Sequence, residues 1–161
     1  MNRNASLARA RLLALLVPAA LLGGALLSQY VGGLFPCEMC MWQRWPHAAA
    51  ILLALVAFAL RRQPGLSYLL VAIAALAIAV SGAIGVFHAG VEYRWWEGVT
   101  ACSVPASGAT AKDMLDAIMA APITRCDVAP WSLFGISLAG FNAIFSLGGA
   151  AVIALTLLRG K

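Results

Sequence analysis

The sequence predicts an all-α membrane protein: an antiparallel four-helix transmembrane bundle with two outward loops and a short interfacial helix. Three observations predict it. Hydrophobic residues make up 63% of the 161-residue chain and charged residues 11%, with a mean hydropathy of +0.90, which is more apolar surface than one water-facing core can hide. Four stretches, 12–30, 43–60, 66–88 and 131–158, are long enough to cross about 30 Å of hydrocarbon at roughly 1.5 Å per helical residue. Charge is also segregated. Arg3, Arg9 and Arg11 precede the first stretch, Arg61 and Arg62 lie between the second and third, and Arg159 and Lys161 end the chain, with no acidic residue among them. All six carboxylates fall in the other two loops. Short basic loops stay in the cytoplasm, so both termini are expected inside and the loops 31–42 and 89–130 outside. The net charge of +5 is thereby accounted for by topology and implies no nucleic-acid partner.

Taken in order, the first stretch follows a basic segment, as a signal peptide would. Leu12 to Leu27 is longer than a usual signal core, however, and no small-x-small cleavage site follows, so it is expected to remain as a span. The first outward loop is short, and its glycines and Pro36 mark a break before the second span, the shortest of the four. Gln63-Pro64-Gly65 reads as a tight inside turn. In the third span, Ser81-Gly82-Ala83-Ile84-Gly85 supplies small residues for close helix approach. The second outward loop, about forty residues long, exceeds what connection requires. Within it, Met114, Leu115, Ile118 and Met119 recur at helical spacing, with Thr110 as N-cap, so a helix over 112–121 ending at Pro122 is predicted. It reads as an anchor on lipid headgroups or as a lid or partner-docking element. Tyr30, Trp42, Trp45, Tyr93, Trp95, Trp96 and Trp131 stand near outer span ends, as interfacial aromatics do. No repeat or low-complexity segment divides the chain, and 1–161 is read as one membrane domain.

The chemistry lies in the cysteines. All four are on the outer side: Cys37 and Cys40 in the first loop, Cys102 and Cys126 in the second. An oxidising exterior lets disulfides persist, and four cysteines allow three complete pairings. A static staple suits Cys102 and Cys126, where closing a loop of about 25 residues contributes ~3.5 kcal/mol by chain entropy. It suits Cys37 and Cys40 less, because a Cys-x-x-Cys spacing removes little chain entropy and is typical of reactive thiols. A zinc site would want a second close cysteine pair, which is missing. Covalent haem would want His after Cys40, where Met41 stands, although His47 and His88 at outer span ends leave non-covalent haem as an alternative. If the second helix begins near Cys37, Cys40 and Arg44 share a face, and the guanidinium favours the thiolate and would serve an electron acceptor's oxygen. Pro46 fits that helix only if the helix is just starting.

Two cysteine pairs in the outward loops of four spans, with Cys-x-x-Cys-x-x-x-Arg (Cys37 to Arg44) opening the second span, resemble the DsbB family over nearly the whole chain, from about Arg11 to Leu158. That resemblance implies a bacterial inner-membrane protein with periplasmic loops that reoxidises a thioredoxin-fold, DsbA-like thiol oxidase and passes electrons to the membrane pool of ubiquinone or menaquinone. It implies that Cys37 and Cys40 are the quinone-coupled pair, that Cys102 forms the mixed disulfide with the partner, and that Cys126 is its resolving mate. Arg44 resembles the family's quinone-contacting arginine and His88 a histidine near the quinone site, although Glu92 stands where glutamine is expected. No metal is implied. A soluble nucleotide cofactor has no Gly-x-Gly-x-x-Gly fingerprint here. Three other readings stay open: a disulfide-stapled scaffold, a b-type haem protein, and a paralogue dedicated to one specialised oxidase.

Overall fold

The computed structural model describes residues 3–100, 110–120 and 124–159. Among these, four long helices dominate: α1 (Arg3–Tyr30), α2 (Glu38–Ala59), α3 (Pro64–Glu92) and α5 (Leu138–Leu158), with a short α4 (Ala111–Ala120) and a two-stranded hairpin, β1 (Ser132–Leu133) and β2 (Ile136–Ser137), before α5. The long helices pack as a ring, α1 on α2, α2 on α3, α3 on α5 and α5 on α1. The C-terminal parts of α1 and α3 meet the N-terminal parts of α2 and α5 around one cavity, so neighbouring helices run antiparallel.

Burial is inverted relative to a water-soluble bundle. The main core is built largely of alanines one turn apart, Ala10 and Ala14 on α1, Ala50, Ala54 and Ala57 on α2, and Ala74 on α3, with Val71, Ile78 and Ile153 between them. Large apolar residues such as Leu16, Leu27, Leu52, Leu69, Leu76 and Phe145 are turned outward. Small residues inside and leucines outside are what a hydrocarbon solvent selects, because it offers no hydrophobic drive between helices and rewards close backbone approach. By length and composition α1, α3 and α5 are long and apolar enough to cross a membrane. Helix α2 is weaker, since its first half carries Glu38, Gln43, Arg44, Pro46 and His47.

Several element boundaries differ from the sequence expectations. Helix α1 starts at Arg3, well before residue 12. Helix α2 starts at Glu38 rather than 43, because the Cys37 sulfur accepts the Cys40 backbone N–H as an N-cap. Cys40 thus lies in a helical first turn and not in a loop, and Pro46 sits inside the helix, not at its start. Proline has no N–H for the carbonyl one turn back. One residue past the carbonyl that Pro46 leaves unpaired, the Ser81 hydroxyl donates to the Gln43 carbonyl at 2.8 Å, tying α3 to α2 at the proline. The expected turn at Gln63-Pro64-Gly65 is instead the start of α3, with Pro64 at its first position. The fourth stretch does not begin as a helix at 131. Phe134 and Gly135 both take positive φ, 52° and 78°, the pattern of a two-residue hairpin turn, and Ser137 then caps α5 by accepting from Gly140 N at 3.1 Å. The Tyr93 hydroxyl locks this hairpin to the end of α3 by donating to Gly135 O at 2.9 Å and accepting from Ser137 N at 3.0 Å. For α4, Thr110 caps as expected, and Asp113 returns the bond to Thr110 N at 3.2 Å. Its expected end at Pro122 lies outside the described residues.

The small residues of α3 work as helix packing. A Cβ on Gly85 would lie 3.0 Å from both Ala139 O and Ala143 N, backbone atoms of α5 that cannot swing aside. Gly85→Val is therefore expected to force α3 and α5 apart and to destabilise by about 1–3 kcal/mol, read as a lower thermal midpoint in detergent. Gly148→Ala, where the added carbon meets nothing within 4 Å, should leave the midpoint unchanged or raised.

Candidate functional site

Cys37 and Cys40 are free thiols with sulfurs 3.1 Å apart at the mouth of α2. Both precede the apolar stretch 43–60. Two thiols this close to a helix N-terminus do not share one acidity. The Cys37 S–H donates to the Cys40 sulfur, which lowers the Cys40 thiol below its ordinary range against the opposing effects of burial and of Glu92, with Arg44 helping least. Cys37 is pushed up by holding that bond, then by burial. Cys40 is the partly exposed member, and a thiol pKa lowered in this way favours the thiolate.

Behind the sulfurs lies a buried polar chain that links three helices. The Gln43 amide nitrogen donates to Met39 O at 3.1 Å, and since a backbone carbonyl only accepts, this fixes which end of the carboxamide is nitrogen. The same nitrogen lies 2.9 Å from His88 Nδ1, which must then accept, so His88 carries its proton on Nε2. That N–H faces the Cys37 sulfur at 3.6 Å and Glu92 Oε1 at 3.8 Å. The Gln43 oxygen accepts from Asn142 Nδ2 at 2.8 Å. Asn142 Nδ2 also reaches Ser81 O at 3.2 Å, which fixes the second carboxamide in turn. Its oxygen accepts from Ser146 Oγ and faces His47 Nε2, each at 2.9 Å.

On the cavity side, Ala25, Ser28, Phe35, Cys40, Arg44, His88, Phe141 and Phe145 are among the residues enclosing about 300 Å³ between α1 and α5. The wall is mainly apolar, with Gln43, His47, Glu92 and Asn142 on it as well. Two buried wall residues carry atoms without a partner, His47 Nδ1 and Glu92 Oε2. Such a cavity fits a flat, lipophilic molecule with a few polar edges.

The structure brings Cys37, Cys40, Arg44 and His88 together as the sequence suggested, with one correction. Arg44 does share the Cys40 face, but its guanidinium donates to Gln29 Oε1 and to Ala25 O on α1 rather than to a sulfur. Its influence on Cys40 is the weakest of those acting there. Cys126 is disulfide-bonded and fully buried in one cluster with Cys37, Met39 and Val91, and the His88 ring meets its backbone. The second outward loop is thus seated on the first, tied further by Thr124 Oγ1 donating to Pro36 O at 3.4 Å. Beside Cys126, Arg125 and Asp127 pair through two bonds of 2.9 and 2.6 Å, which holds the Asp127 carboxyl below the usual range. Cys102 lies outside the described residues. The sequence reading missed Gln43, Asn142, Ser81 and Gln29. Their signal was available, since carboxamides and hydroxyls inside apolar stretches are costly in lipid and mark function.

Helices long and apolar enough to cross hydrocarbon, with a close dithiol at one end of the bundle, define a membrane protein of thiol–disulfide chemistry. The family model for DsbB, disulfide bond formation protein DsbB, matches residues 8–156, and the chain belongs to that family. It is 30% identical over 146 residues to disulfide bond formation protein B of Marinobacter nauticus (strain ATCC 700491 / DSM 11845 / VT8), covering 83% of this chain and 81% of that one. Proteins of the same description from Hahella chejuensis (strain KCTC 2396) and Azoarcus sp. (strain BH72) are each 29% identical, over 155 and 161 residues, covering 91% of both chains in the first case and 89% of this chain and 87% of the relative in the second. No solved structure matches significantly. The protein is thus a membrane oxidoreductase of disulfide bond formation.

In the reduced protein Cys40 is expected to be alkylated before Cys37, with a pH midpoint below that of an ordinary cysteine. Cys37→Ala, which removes the donor, should raise that midpoint, and Glu92→Gln, which removes an opposing charge, should lower it. Mass mapping of iodoacetamide adducts against pH reads all three.

Proposed function

We propose that this chain acts as one four-span domain in a bacterial inner membrane, with both termini cytoplasmic, where it reoxidises a periplasmic DsbA-type thiol oxidase. It passes the electrons through two cysteine pairs to membrane quinone and so sustains disulfide formation in exported proteins. One observation carries the reading: a reduced thiol pair opens through Cys40 onto an apolar cavity on one side and packs against disulfide-bonded Cys126 on the other. Helix α2, packed between α1 and α3, supplies the fourth span.

Each step is attack of a thiolate on a disulfide. With Cys102 paired to Cys126, a thiolate of the reduced partner attacks Cys102 and releases Cys126, which attacks Cys37 and frees Cys40. The partner's second thiol then displaces Cys102, which recaptures Cys126 and leaves Cys37 and Cys40 both reduced, the redox state of the pair described above. Closing the Cys37–Cys40 bond gives up two electrons, and the two protons come from the partner's dithiol. A bound quinone supplies the sink for both. Arg44 and His88 would hold it, His88 by its Nε2–H and Arg44 by its guanidinium. A DsbA-type oxidase is itself strongly oxidising, so the glutathione pool is too reducing to serve instead.

Metal and haem readings are less well supported. Cys37, Cys40 and His88 have their ligand atoms within 4.8 Å of one another, but a metal-bound imidazole donates its other N–H outward, whereas His88 Nδ1 accepts from Gln43. His47 Nε2 is likewise committed, to Asn142 and Ser81.

The purified protein with a reduced DsbA-type donor and a short-chain quinone should reduce the quinone, and Cys40→Ser should bring the rate down to the uncatalysed background. Turnover that survives Cys40→Ser would overturn the scheme. Impermeant alkylating reagents should reach the reduced cysteines from the periplasmic face only.

A further inference from the structure

Cys126 Sγ is a reacting atom of the two-pair relay proposed above, and its surroundings decide how readily it leaves as a thiolate. The residue is fully buried. When its disulfide is opened by attack on Cys102, the negative charge therefore arrives on a sulfur that water does not reach. An anion released there without a donor beside it is heavily penalised. Thr100 supplies that donor. Its Oγ1 lies 3.4 Å from Cys126 Sγ, and Thr100 is itself only 3% exposed, so solvent does not compete for the contact. Cys126 is disulfide-bonded, and a disulfide sulfur carries no hydrogen, so the hydroxyl must be the donor. Two polar neighbours are turned elsewhere. Arg125 pairs with Asp127, and His88, whose ring meets the Cys126 backbone, aims its Nε2–H at the Cys37 sulfur and Glu92.

We propose that Thr100 is a catalytic residue of the exchange, its hydroxyl holding the Cys126 thiolate as the partner opens the second disulfide. This rests on the relay reading above and deepens it. In the step, a thiolate of the reduced partner forms a bond to Cys102 Sγ, the Cys102–Cys126 bond breaks, and its electron pair stays on Cys126 Sγ. No proton moves. A disulfide sulfur is a weak acceptor and a thiolate a strong one, so the Thr100 bond strengthens as charge develops, which is the condition for lowering a barrier. Burial of Cys126 keeps attack off the wrong sulfur, and Thr100 makes that buried sulfur the better leaving group, since a thiol of lower pKa leaves faster. The same bond does not trap the thiolate. Nucleophilicity falls by only about half of the stabilisation, so Cys126 still goes on to attack Cys37, with which it shares a buried cluster.

The test uses the full-length oxidised protein in detergent, without quinone. Acid quench and mass mapping follow the mixed disulfide formed on Cys102 by a reduced DsbA-type donor and, separately, by 2-mercaptoethanol. Thr100→Val, close in shape but lacking the hydroxyl, is expected to slow formation about tenfold with either thiol, the loss of one hydrogen bond to a charged group. Thr100→Ser, which keeps the donor, should restore the rate. A merely structural role gives the opposite sign, because loosening the loop exposes the disulfide and exposed disulfides are reduced more easily. A second readout is the ultraviolet absorbance of the Cys126 thiolate in reduced Cys102→Ala protein, with Cys102→Ala/Cys126→Ala as baseline. Adding Thr100→Val there should raise its pH midpoint by about one unit. If Thr100→Val fails to fold, Thr100→Ala carries both measurements. Unchanged or faster formation, or an unmoved midpoint, overturns the proposal while the relay stands. If no mixed disulfide forms on Cys102 in the unmodified protein, the relay reading fails and this proposal falls with it.

Discussion

The carboxamide of Gln43 has to be satisfied inside a structure whose surroundings offer no water, and much of the site follows from how that is done. Its nitrogen is fixed by the Met39 carbonyl of its own helix. It then sets the protonation of His88 on α3, and its oxygen engages Asn142 on α5. One amide thus ties α2 to two other helices and dictates the hydrogen-bonding face that a histidine presents to the reactive thiols. In hydrocarbon a polar group that loses its partner has no solvent to fall back on. Three helices built mainly from alanine, glycine and leucine acquire a unique mutual register from these few polar contacts, because apolar packing alone tolerates sliding.

That register places the thiol pair between two different environments. On one side Cys37 is buried with Cys126, Met39 and Val91; on the other Cys40 borders the cavity. The arrangement separates the two members chemically, since the bond between them raises the buried thiol and lowers the partly open one. Glu92 and Arg44 act on Cys40 in opposite directions, and the acidic residue outweighs the basic one. The nucleophile is therefore poised mainly by its neighbouring thiol. This is a short-range effect that vanishes once the pair closes into a disulfide, so the acidity is coupled to the redox state.

Much of this was legible in the sequence, for physical reasons. Long apolar stretches and one-sided arginines constrain topology almost independently of packing, and a Cys-x-x-Cys before an apolar run limits the chemistry. The hairpin at 132–137 was hidden because its strands are two residues each and apolar on both sides, so they merge with the span that follows. Only Gly135 hinted at a turn. A helix beginning near Cys37 suits Cys40 and Arg44, but the apolar pattern begins only at 43 and Pro46 argues against an earlier start, so the sequence does not decide between the two. Single carboxamides and hydroxyls inside apolar stretches were a visible signal, but their pairing across helices, as between Gln43 and Asn142 99 positions apart, was not. Gln43 gains meaning only when Asn142 and His88 are seen beside it.

Arg44 shows how a motif residue can have a second task that its spacing does not reveal. Spacing puts it one turn below Cys40, which suggests an electrostatic role, yet two of its five N–H donors go to Gln29 and the Ala25 carbonyl. Those are polar ties between α1 and α2 at the cavity's edge. Helix α1 forms one wall of that cavity through Ala20, Ala25 and Ser28, and it packs only lightly on α3. The guanidinium thus ties α2 to the wall that closes the cavity on its α1 side, and this tie uses only part of its donor set.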